Sequence, residues 1–151
     1  MILLALGSNI GDREGFLRRA CEALDAVGAT VVKQSPLMET PAMLPPDAPA
    51  EWDIPFLNQV IAVTTNHTPE ALLACAKSIE AGLGRQDRGR WGPREIDIDL
   101  LAYHAERRDT ALLTLPHPGI ALRDFVLKPL AEIAPEWRHP ITGRTAREMM
   151  A

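Results

Sequence analysis

Residues 84–101 read GRQDRGRWGPREIDIDLL. The stretch begins with four arginines within ten residues around a Trp-Gly-Pro turn, and it continues with alternating acidic and aliphatic residues. In an extended strand residues i and i+2 share a face, so this pattern places Asp97 and Asp99 side by side with Cα atoms roughly 6.5 Å apart. The aliphatic neighbours face the other way. The sequence therefore predicts a cationic loop, residues 85–94, that leads directly into a strand with paired carboxylates.

Paired carboxylates on one strand face repel each other unless a cation lies between them. Mg²⁺ suits such a position, because it binds one or two protein carboxylates and leaves its other coordination sites to water and substrate phosphates. Arginine guanidinium groups bind phosphate through bidentate hydrogen bonds. Each half also has a simpler interpretation, since D-x-D marks the solvated face of many strands and arginine-rich loops are often merely exposed. The adjacency of the two favours a site for nucleotide phosphates and a metal ion.

Length and composition indicate one globular domain over residues 1–151. The 46% content of hydrophobic residues excludes a disordered chain. The formal net charge of −4 argues against a broad nucleic-acid surface, so we expect the clustered arginines to bind a small anion. Cys21 and Cys75 lie in helical patterns without a C-x-x-C motif and are expected to be reduced thiols. Without a long apolar run or a signal peptide, the sequence predicts a cytoplasmic protein.

Hydrophobic patterns predict the main helices and strands. Residues 2–6 form a continuous aliphatic run, which is typical of a strand in the middle of a sheet. Helices are predicted to begin after Asp12 and after Thr68, because both residues are good helix caps. Residues 30–35 and 56–65 are rich in β-branched or aromatic residues and are predicted strands.

The remaining segments have weaker patterns. Residues 41–55 contain five prolines and no periodicity, which is typical of a lid over a binding site or of a disordered loop. Trp52 favours the lid, since an indole in a polar loop needs a surface to pack on. Further along, a short strand is predicted at 112–115. Helical turns are predicted at 120–127, followed by a separate helix that Pro129 opens.

Three polar side chains have two interpretations each. Asn58 can satisfy a neighbouring backbone group or can bind the edge of a heterocycle. Glu80 lies in the last turn of a predicted helix, where its charge opposes the helix dipole, so it has a cationic partner or is solvated. His117 lies between two prolines and is a rigid donor to a phosphate oxygen or a turn residue in water. The sequence leaves each pair of alternatives open.

Motifs along the whole chain resemble those of the 6-hydroxymethyl-7,8-dihydropterin pyrophosphokinase family. They are LGSNIGDR from Leu6, E-T-P from Glu39, FLNQV from Phe56, IE from Ile79, LGR from Leu83, RWGPREIDIDLL from Arg90, LTLPHP from Leu113 and RDFVLKPLAEIAP from Arg123. The combination of RWGPR-x-I-D-I-D-L with LPHP is highly specific. The resemblance implies an α+β, ferredoxin-like fold, a mostly antiparallel sheet with helices packed on it.

The resemblance also implies a reaction in folate biosynthesis, the transfer of pyrophosphate from ATP to the hydroxymethyl oxygen of the reduced pterin with release of AMP. Asp97 and Asp99 match the family's ligands of two Mg²⁺ ions, and the catalytic set is Arg85, Arg94, Asp97 and Asp99. The positions that match the ATP site are Glu80, Arg85, Trp91, Arg94, Ile98, Thr114, His117 and Arg123. Those that match the pterin site are Thr40, Pro41, Phe56, Asn58, Trp91 and Phe125.

The chain departs from the family pattern where some members carry a basic residue. This chain has Leu112 and Gly119 at those positions, so one phosphate contact is missing or is supplied by Arg107 or Arg108. The arginines without an assigned role are Arg88, Arg90, Arg107 and Arg108. We expect a monomer whose partners are its small-molecule substrates, with neither nucleic acid nor a membrane.

Two other classes of function make different predictions. A ferredoxin-like sheet with Trp91 and nearby arginines resembles a platform for single-stranded RNA, which would bind RNA tightly and in a salt-sensitive manner. The acidic net charge, the few aromatic residues and the paired aspartates argue against it. A metal-dependent phosphatase would release orthophosphate rather than AMP.

Overall fold

The computed structural model covers residues 1–151 and contains seven strands and four α-helices. The strands are β1 (Ile2–Ser8), β2 (Ala29–Gln34), β3 (Met38–Thr40), β4 (Phe56–Thr65), β5 (Asp97–Tyr103), β6 (Arg108–Asp109) and β7 (Thr114–Leu115). The helices are α1 (Arg13–Ala26), α2 (Pro69–Gly82), α3 (Asp124–Ile133) and α4 (Ala146–Met150).

The main sheet has the strand order β2-β4-β1-β5, and all of its neighbouring strands are antiparallel. β3 pairs with the first residues of β4, and β6 and β7 form a separate hairpin. β1 lies between β4 and β5, which confirms the prediction for the aliphatic run at 2–6. With α1 after β1 and α2 after β4, this order is ferredoxin-like and confirms the predicted α+β fold.

The two faces of the sheet bury separate hydrophobic clusters. α1 and α2 cover one face, where Leu24 and Leu72 pack with Leu4 of β1. α3 covers the other face, where Leu130 packs with Leu3 of β1. Neighbouring residues of β1 thus contribute to opposite clusters, because side chains alternate along a strand. Because both faces of this strand are buried, its sequence is an unbroken aliphatic run.

Side-chain caps begin the two helices of the first face as predicted. Asp12 Oδ1 accepts a hydrogen bond from the backbone N–H of Gly15 at 3.1 Å. Thr68 Oγ1 accepts one from the backbone N–H of Ala71 at 3.1 Å. Each bond satisfies one of the N–H groups that the first turn of a helix leaves unpaired.

Pro129 does not divide the helix that contains it. The prediction of turns at 120–127 and a separate helix from Pro129 is wrong, because α3 is continuous over Asp124–Ile133. Pro129 lacks an N–H, so the carbonyl of Phe125 loses its usual helical partner. The helix continues because its inner side, including the fully buried Leu130, packs on the sheet. Tertiary packing thus outweighs the local preference of proline.

The strand predicted at 112–115 is shorter in the structure. Only Thr114–Leu115 pairs with β6. Thr110 and Leu113 form a tight turn, in which the backbone N–H of Leu113 donates to Thr110 Oγ1 at 3.0 Å. Leu112 lies in this turn with 73% of its surface exposed, so no sheet neighbour holds it in an extended conformation.

Cys21 and Cys75 are free thiols, as predicted. Burial, together with the negative charges of Asp25 and Glu22, raises the pKa of Cys21 to about 11. This thiol is therefore protonated at neutral pH. None of the four helices has both the length and the apolar character that a membrane-crossing helix needs.

We expect the substitution Leu4→Ala to destabilise the protein by roughly 2–5 kcal/mol, because it removes a fully buried side chain from the central strand. Leu112→Ala makes the same chemical change at a site that is 73% exposed, and it should change the free energy of unfolding by less than about 0.5 kcal/mol. Urea denaturation measures both values. Equal effects of the two substitutions would contradict the placement of β1 at the centre of the sheet.

Candidate functional site

A cleft of about 390 Å³ opens on the α3 face of the sheet, where β1 ends and where β4 and β5 begin. Its floor includes Ala5 and Gly7 of β1. In the sheet register Gly7 lies between Asn58 of β4 and Asp97 of β5, and Ala5 pairs with Asp99. A Cβ atom on Gly7 would lie 3.4 Å from Asn58 Oδ1. The small residues of β1 therefore leave the space between a polar amide and the paired carboxylates open.

The structure brings most of the predicted site residues together. Those that line the cleft are Thr40, Pro41, Phe56, Asn58, Trp91, Arg94, Asp97, Asp99, His117, Arg123 and Phe125. Glu80 and Arg85 line an adjoining polar cavity of about 450 Å³, and Arg94 lines both cavities. Two predicted nucleotide residues, Ile98 and Thr114, line neither cavity.

Ile98 and Thr114 are placed differently from the other predicted residues. The side chain of Ile98 is 1% exposed and belongs to the hydrophobic cluster under α1 and α2. Because strand side chains alternate, it points away from the face that carries Asp97 and Asp99. The side chain of Ile98 is therefore not available for binding at this edge of the sheet. Thr114 is exposed on the short strand β7.

Both carboxylate oxygens of Asp97 are paired with arginines. Arg94 Nη1 donates to Oδ2 at 2.9 Å, and Arg85 Nη2 lies 3.5 Å from Oδ1. Arg94 also donates from Nη2 to the backbone carbonyl of Arg90 at 2.8 Å. The arginine loop, residues 85–94, is thus attached to β5 through the carboxylate of Asp97. This geometry confirms that guanidinium and carboxylate groups meet at one place.

Asp99 has no such partner. Its pKa is raised from the ordinary value of 3.8 to about 6, first by burial and then by the negative charge of Asp97. Lys77 and Arg123 oppose this rise but do not cancel it. A buried carboxylate beside a second carboxylate is stabilised in its charged form by a bound cation. The side chains of Asp97 and Asp99 therefore suit a cation between them.

Glu80 has a cationic partner, which excludes the solvated alternative. Its side chain is 3% exposed. Oε1 accepts a hydrogen bond from Arg85 Nη1 at 3.0 Å, and Oε2 accepts one from the backbone N–H of Ile98 at 2.8 Å. Glu80 thus fixes Arg85 against the edge of β5, on the side that faces Asp97.

His117 is held in one tautomer at the wall of the cleft. The backbone N–H of Gly119 donates to its Nδ1 at 2.9 Å, so neutral His117 carries its proton on Nε2. Burial and the charge of Arg123 lower the pKa of His117, which keeps the ring neutral at pH 7. A Cβ atom on Gly119 would lie 3.1 Å from both His117 Nδ1 and Arg123 Nε. Glycine at this position therefore leaves room for both basic side chains.

Asn58 uses its two polar atoms differently. Its Nδ2 group donates to the backbone carbonyl of Met38 at 3.2 Å and to Thr40 Oγ1 at 2.8 Å. The amide therefore satisfies a neighbouring backbone group, which was one of its two interpretations. Oδ1 accepts no hydrogen bond and faces the cleft beside Gly7. Phe56 and Phe125 add aromatic surface to the same cleft.

Trp91 lies at the mouth of the cleft with 39% of its surface exposed. The guanidinium of Arg90 lies 4.8 Å from the centre of the indole ring, within the range of a cation–π contact. Arg90 also lines the cleft, although the sequence predicts no role for it.

Arg107 and Arg108 line neither cavity. Arg108 is held by two carboxylates, since Nε donates to Glu70 Oε2 and Nη2 donates to Glu106 Oε1, each at 2.9 Å. Arg107 is exposed to solvent. The structure therefore offers no substitute from this hairpin for the basic residues that the chain lacks at 112 and 119.

Sequence patterns do not identify Asn9, a buried residue that connects the site. Its backbone N–H donates to the carbonyl of Arg94 at 3.1 Å, and its Oδ1 accepts from the N–H of Arg94 at 2.8 Å. Its Nδ2 donates to the carbonyl of Ile54 at 3.1 Å. Asn9 thus joins the end of β1 to the arginine loop and to the loop at 41–55. An asparagine directly after the small residues that end a buried strand is the signal that could have identified it.

The loop at 41–55 is held by individual hydrogen bonds and not by pairing with a strand. It contains a 3₁₀ turn at Ala50–Trp52, and Trp52 is partly buried. Arg13 Nη1 donates to the carbonyl of Pro55 at 3.0 Å. Together with the bond from Asn9, this contact anchors the carboxyl end of the loop beside the cleft.

No group of three or more histidine, cysteine or acidic side chains in the structure is arranged to hold a metal ion. Two protein carboxylates are nevertheless sufficient for Mg²⁺, which usually completes its coordination with water and substrate oxygens. The donor set of Asp97 and Asp99 fits that pattern better than a site for zinc, because it contains no thiolate or imidazole.

Comparison with known proteins identifies the family. The family model described as 7,8-dihydro-6-hydroxymethylpterin-pyrophosphokinase matches residues 3–135. The chain is similar to the 2-amino-4-hydroxy-6-hydroxymethyldihydropteridine pyrophosphokinase of Methylorubrum extorquens, with 47% identity over 98% of this chain and 90% of the relative. It is also similar to the Bacillus subtilis protein of the same name, with 44% identity over 86% of this chain and 75% of the relative.

The fold is shared with a solved structure of a Plasmodium falciparum HPPK-DHPS triple mutant with pteroate. The TM-score is 0.71 at 16% identity, and the match covers 98% of this chain. This chain spans 42% of that longer protein, so the similarity concerns one part of it and shows the fold alone. From the family model and the two bacterial relatives, the chain belongs to the 7,8-dihydro-6-hydroxymethylpterin-pyrophosphokinase family.

Proposed function

We propose that the protein transfers pyrophosphate from ATP to 6-hydroxymethyl-7,8-dihydropterin in folate biosynthesis, giving AMP and the dihydropterin diphosphate. We further propose that residues 1–151 act as one catalytic domain. The observation that carries the proposal is the cleft itself, in which paired carboxylates with two arginines face an aromatic wall with a free amide oxygen. One side suits a metal-bound polyphosphate, and the other suits a flat heterocycle.

The phosphate side of the cleft is built around Arg85 and Arg94. Their guanidinium groups converge on Asp97, and Arg94 lines the boundary between the two cavities. A triphosphate at this boundary would contact both arginines, which can neutralise charge on oxygens of the transferred group. Arg123 and the Nε2–H of neutral His117 offer two further donors from the opposite wall.

Asp97 and Asp99 would hold Mg²⁺, and we propose two ions as the resemblance implies. When bound, such ions polarise phosphoryl oxygens and make the attacking hydroxyl group easier to ionise. The chain's own contribution is the fixed pair of carboxylates on one strand face, at a distance set by the pleat of β5. The raised pKa of Asp99 supports this role, because it reflects negative charge that lacks a partner.

The pterin side is formed by Asn58, Phe56 and Phe125. Asn58 Oδ1 can accept hydrogen bonds from the N–H groups of a pterin, while its amide nitrogen is fixed by β3. The two aromatic side chains supply apolar surface for the faces of a flat ring. Because Gly7 separates Asn58 from Asp97 in the sheet, a ring bound here would reach toward the carboxylates with its substituent.

Water competes with the hydroxymethyl group of the pterin as acceptor of the pyrophosphoryl group, so the site must exclude water to avoid hydrolysis of ATP. The arginine loop and the loop at 41–55 flank the cleft, with Trp91 on the first and Met43 on the second. Both loops are bonded to Asn9 at the end of β1. Closure of these loops over the substrates would exclude solvent and place Trp91 over the reacting groups.

The proposal predicts AMP as the nucleotide product. The purified protein is incubated with ATP, Mg²⁺ and the reduced hydroxymethylpterin, and the nucleotides are separated by chromatography. AMP should form only when the pterin is present. Formation of ADP, release of orthophosphate or turnover without the pterin would reject pyrophosphoryl transfer.

We expect Asp97→Ala to lower kcat by roughly 10³-fold or more, because it removes one of two metal-binding carboxylates and the partner of two arginines. The free energy of unfolding should change by less than about 1 kcal/mol, since Arg85 and Arg94 can be solvated instead. Asp109→Ala removes an exposed carboxylate of β6 and serves as the control. Loss of cooperative unfolding in Asp97→Ala would show that the carboxylate is structural.

We expect Asp99→Asn to stabilise the ligand-free protein at pH 8 while abolishing activity. A carboxyl pKa that folding raises to about 6 means that the folded protein binds this proton more tightly than the unfolded chain. The stability of the wild type therefore falls as pH rises from about 4 to about 6. Asparagine removes this loss, which amounts to roughly 1–3 kcal/mol at about 1.4 kcal/mol for each pKa unit.

Urea denaturation at pH 4 and at pH 8 measures this effect, with Asp109→Asn as the exposed control. The gain of Asp99→Asn should be present at pH 8 and absent at pH 4, where the wild-type carboxyl is largely protonated. A gain that is equal at both pH values, or a loss at pH 8, would contradict the buried, uncompensated charge.

The monomeric state and the cytoplasmic location stay predictions.

A further inference from the structure

Arg88 and Glu95 form a bidentate ion pair across the base of the arginine loop. Arg88 Nη1 donates to Glu95 Oε1 at 2.8 Å, and Nη2 donates to Oε2 at 2.7 Å. The two side chains are 25% and 13% exposed. Arg88 lines the polar cavity beside Arg85. Its carboxylate partner differs, because Arg85 pairs with Glu80 and Asp97, and Arg94 pairs with Asp97. The guanidinium of Arg88 is already matched by a carboxylate that faces neither substrate side.

Two further bonds reinforce this pair. Glu95 Oε1 also accepts the backbone N–H of Gln86 at 3.3 Å, and Arg88 Nη1 also donates to the carbonyl of Pro93 at 3.3 Å. Each of these bonds joins the first part of the loop, residues 85–88, to residues 93–95. The ion pair is thus the centre of a cross-link between the two segments.

The backbone of the loop is closely packed at the same level. A Cβ atom on Gly92 would lie 2.6 Å from Arg88 Cβ and 2.7 Å from the carbonyl oxygen of Arg88. The backbone N–H of Gly92 donates to the carbonyl of Gly89 at 3.1 Å. Gly92 is buried in this contact, whereas Trp91 next to it is exposed at the mouth of the cleft. The loop is therefore a small folded unit that presents its functional side chains from a fixed base.

We propose that Arg88 and Glu95 are positioning residues, which keep the arginine loop folded so that it presents Trp91 and Arg94 toward the cleft. This inference rests on the proposed function, because it assigns the loop to the nucleotide site. Without the cross-link, each nucleotide that binds would first have to order the loop. The apparent dissociation constant rises in inverse proportion to the fraction of molecules whose loop is folded.

The alternative role of Arg88 is that of a phosphate ligand which Glu95 holds in reserve. The two roles predict opposite effects of Glu95→Gln. If the pair positions the loop, the substitution weakens nucleotide binding. If Glu95 restrains a phosphate ligand, the substitution releases Arg88 and strengthens nucleotide binding. Arg88 holds the pKa of Glu95 below its usual range, so both residues are charged at neutral pH. The comparison of the wild type with Glu95→Gln therefore measures the loss of a fully charged pair.

The first experiment measures steady-state kinetics of Glu95→Gln, Arg88→Gln and Arg88→Lys. We expect the KM for ATP to rise about tenfold in the first two variants, if the folded fraction falls to about one tenth, while kcat stays within about twofold. Arg88→Lys keeps the charge but cannot form the planar bidentate pair, so it should recover part of the loss. Combining Glu95→Gln with Arg88→Gln should add little, because both remove the same interaction.

The matched control is Glu70→Gln, which breaks the 2.9 Å pair between Glu70 and Arg108 outside both cavities. This variant should keep the KM of the wild type. A KM for ATP that is unchanged or lowered in Glu95→Gln would overturn the proposal. So would a rise of the same size in Glu70→Gln, because the effect would then be a general one of lost surface ion pairs.

The second experiment uses the ligand-free protein and does not depend on the reaction. Amide hydrogen exchange by NMR follows the N–H groups of Gln86 and Gly92, which are bonded within the loop. Their exchange should become at least about tenfold faster in Glu95→Gln and stay unchanged in Glu70→Gln. If the wild type releases no AMP, the proposed function fails while this result stands. If protection persists in Glu95→Gln, the positioning role fails and the proposed function is untouched.

Discussion

The negative charge of Asp97 and Asp99 at the mouth of one cleft is the constraint on which the rest of the site depends. Strand geometry forces the two carboxylates onto one face, where their negative charges repel each other. The protein offsets this for Asp97 with Arg85 and Arg94, one on each oxygen. Asp99 has no such partner, and burial together with the charge of Asp97 raises its pKa to about 6. The folded protein thus keeps an uncompensated carboxylate, Asp99, at the place where the proposed function needs affinity for a cation.

Space for substrates comes from the sequence of the central strand. β1 is aliphatic where it crosses the hydrophobic clusters, but Ala5 and Gly7 face the cleft where Asp99 and Asp97 stand on the neighbouring strand. The same strand ends at Asn9, which bonds to both flanking loops. β1 and the residue that follows it therefore provide the centre of the core, the floor of the cleft and the anchor of the two flanking loops. A helix could not do this, because its side chains diverge around an axis instead of alternating between two faces.

Much of this arrangement could be predicted from the sequence, and the exceptions have a common cause. Alternation along β5 was sufficient to place Asp97 and Asp99 together, because the pleat alone determines which side chains share a face. The roles of Glu80, Arg88 and Asn9 depend on partners that lie 5 to 85 positions away in the chain. Nothing local distinguishes Arg88 from Arg94, although one pairs within the loop and the other pairs with Asp97. Pro129 shows the same limit, since packing of α3 on the sheet overrides its local preference.

The pairing of Asp97 also bears on how the two halves of a metal–nucleotide complex enter the site. Arg94 covers Oδ2 and Arg85 covers Oδ1, so a cation without phosphate would have to displace both guanidinium groups and would face their repulsion. A phosphate without a cation would have to draw the same arginines away and leave Asp97 beside Asp99 uncompensated. A cation that already carries the phosphates resolves both conflicts, because the carboxylates take the metal while the arginines transfer to the phosphate oxygens. Under the proposed function, the ion pairs of Asp97 therefore favour binding of the two as a unit over binding of either alone.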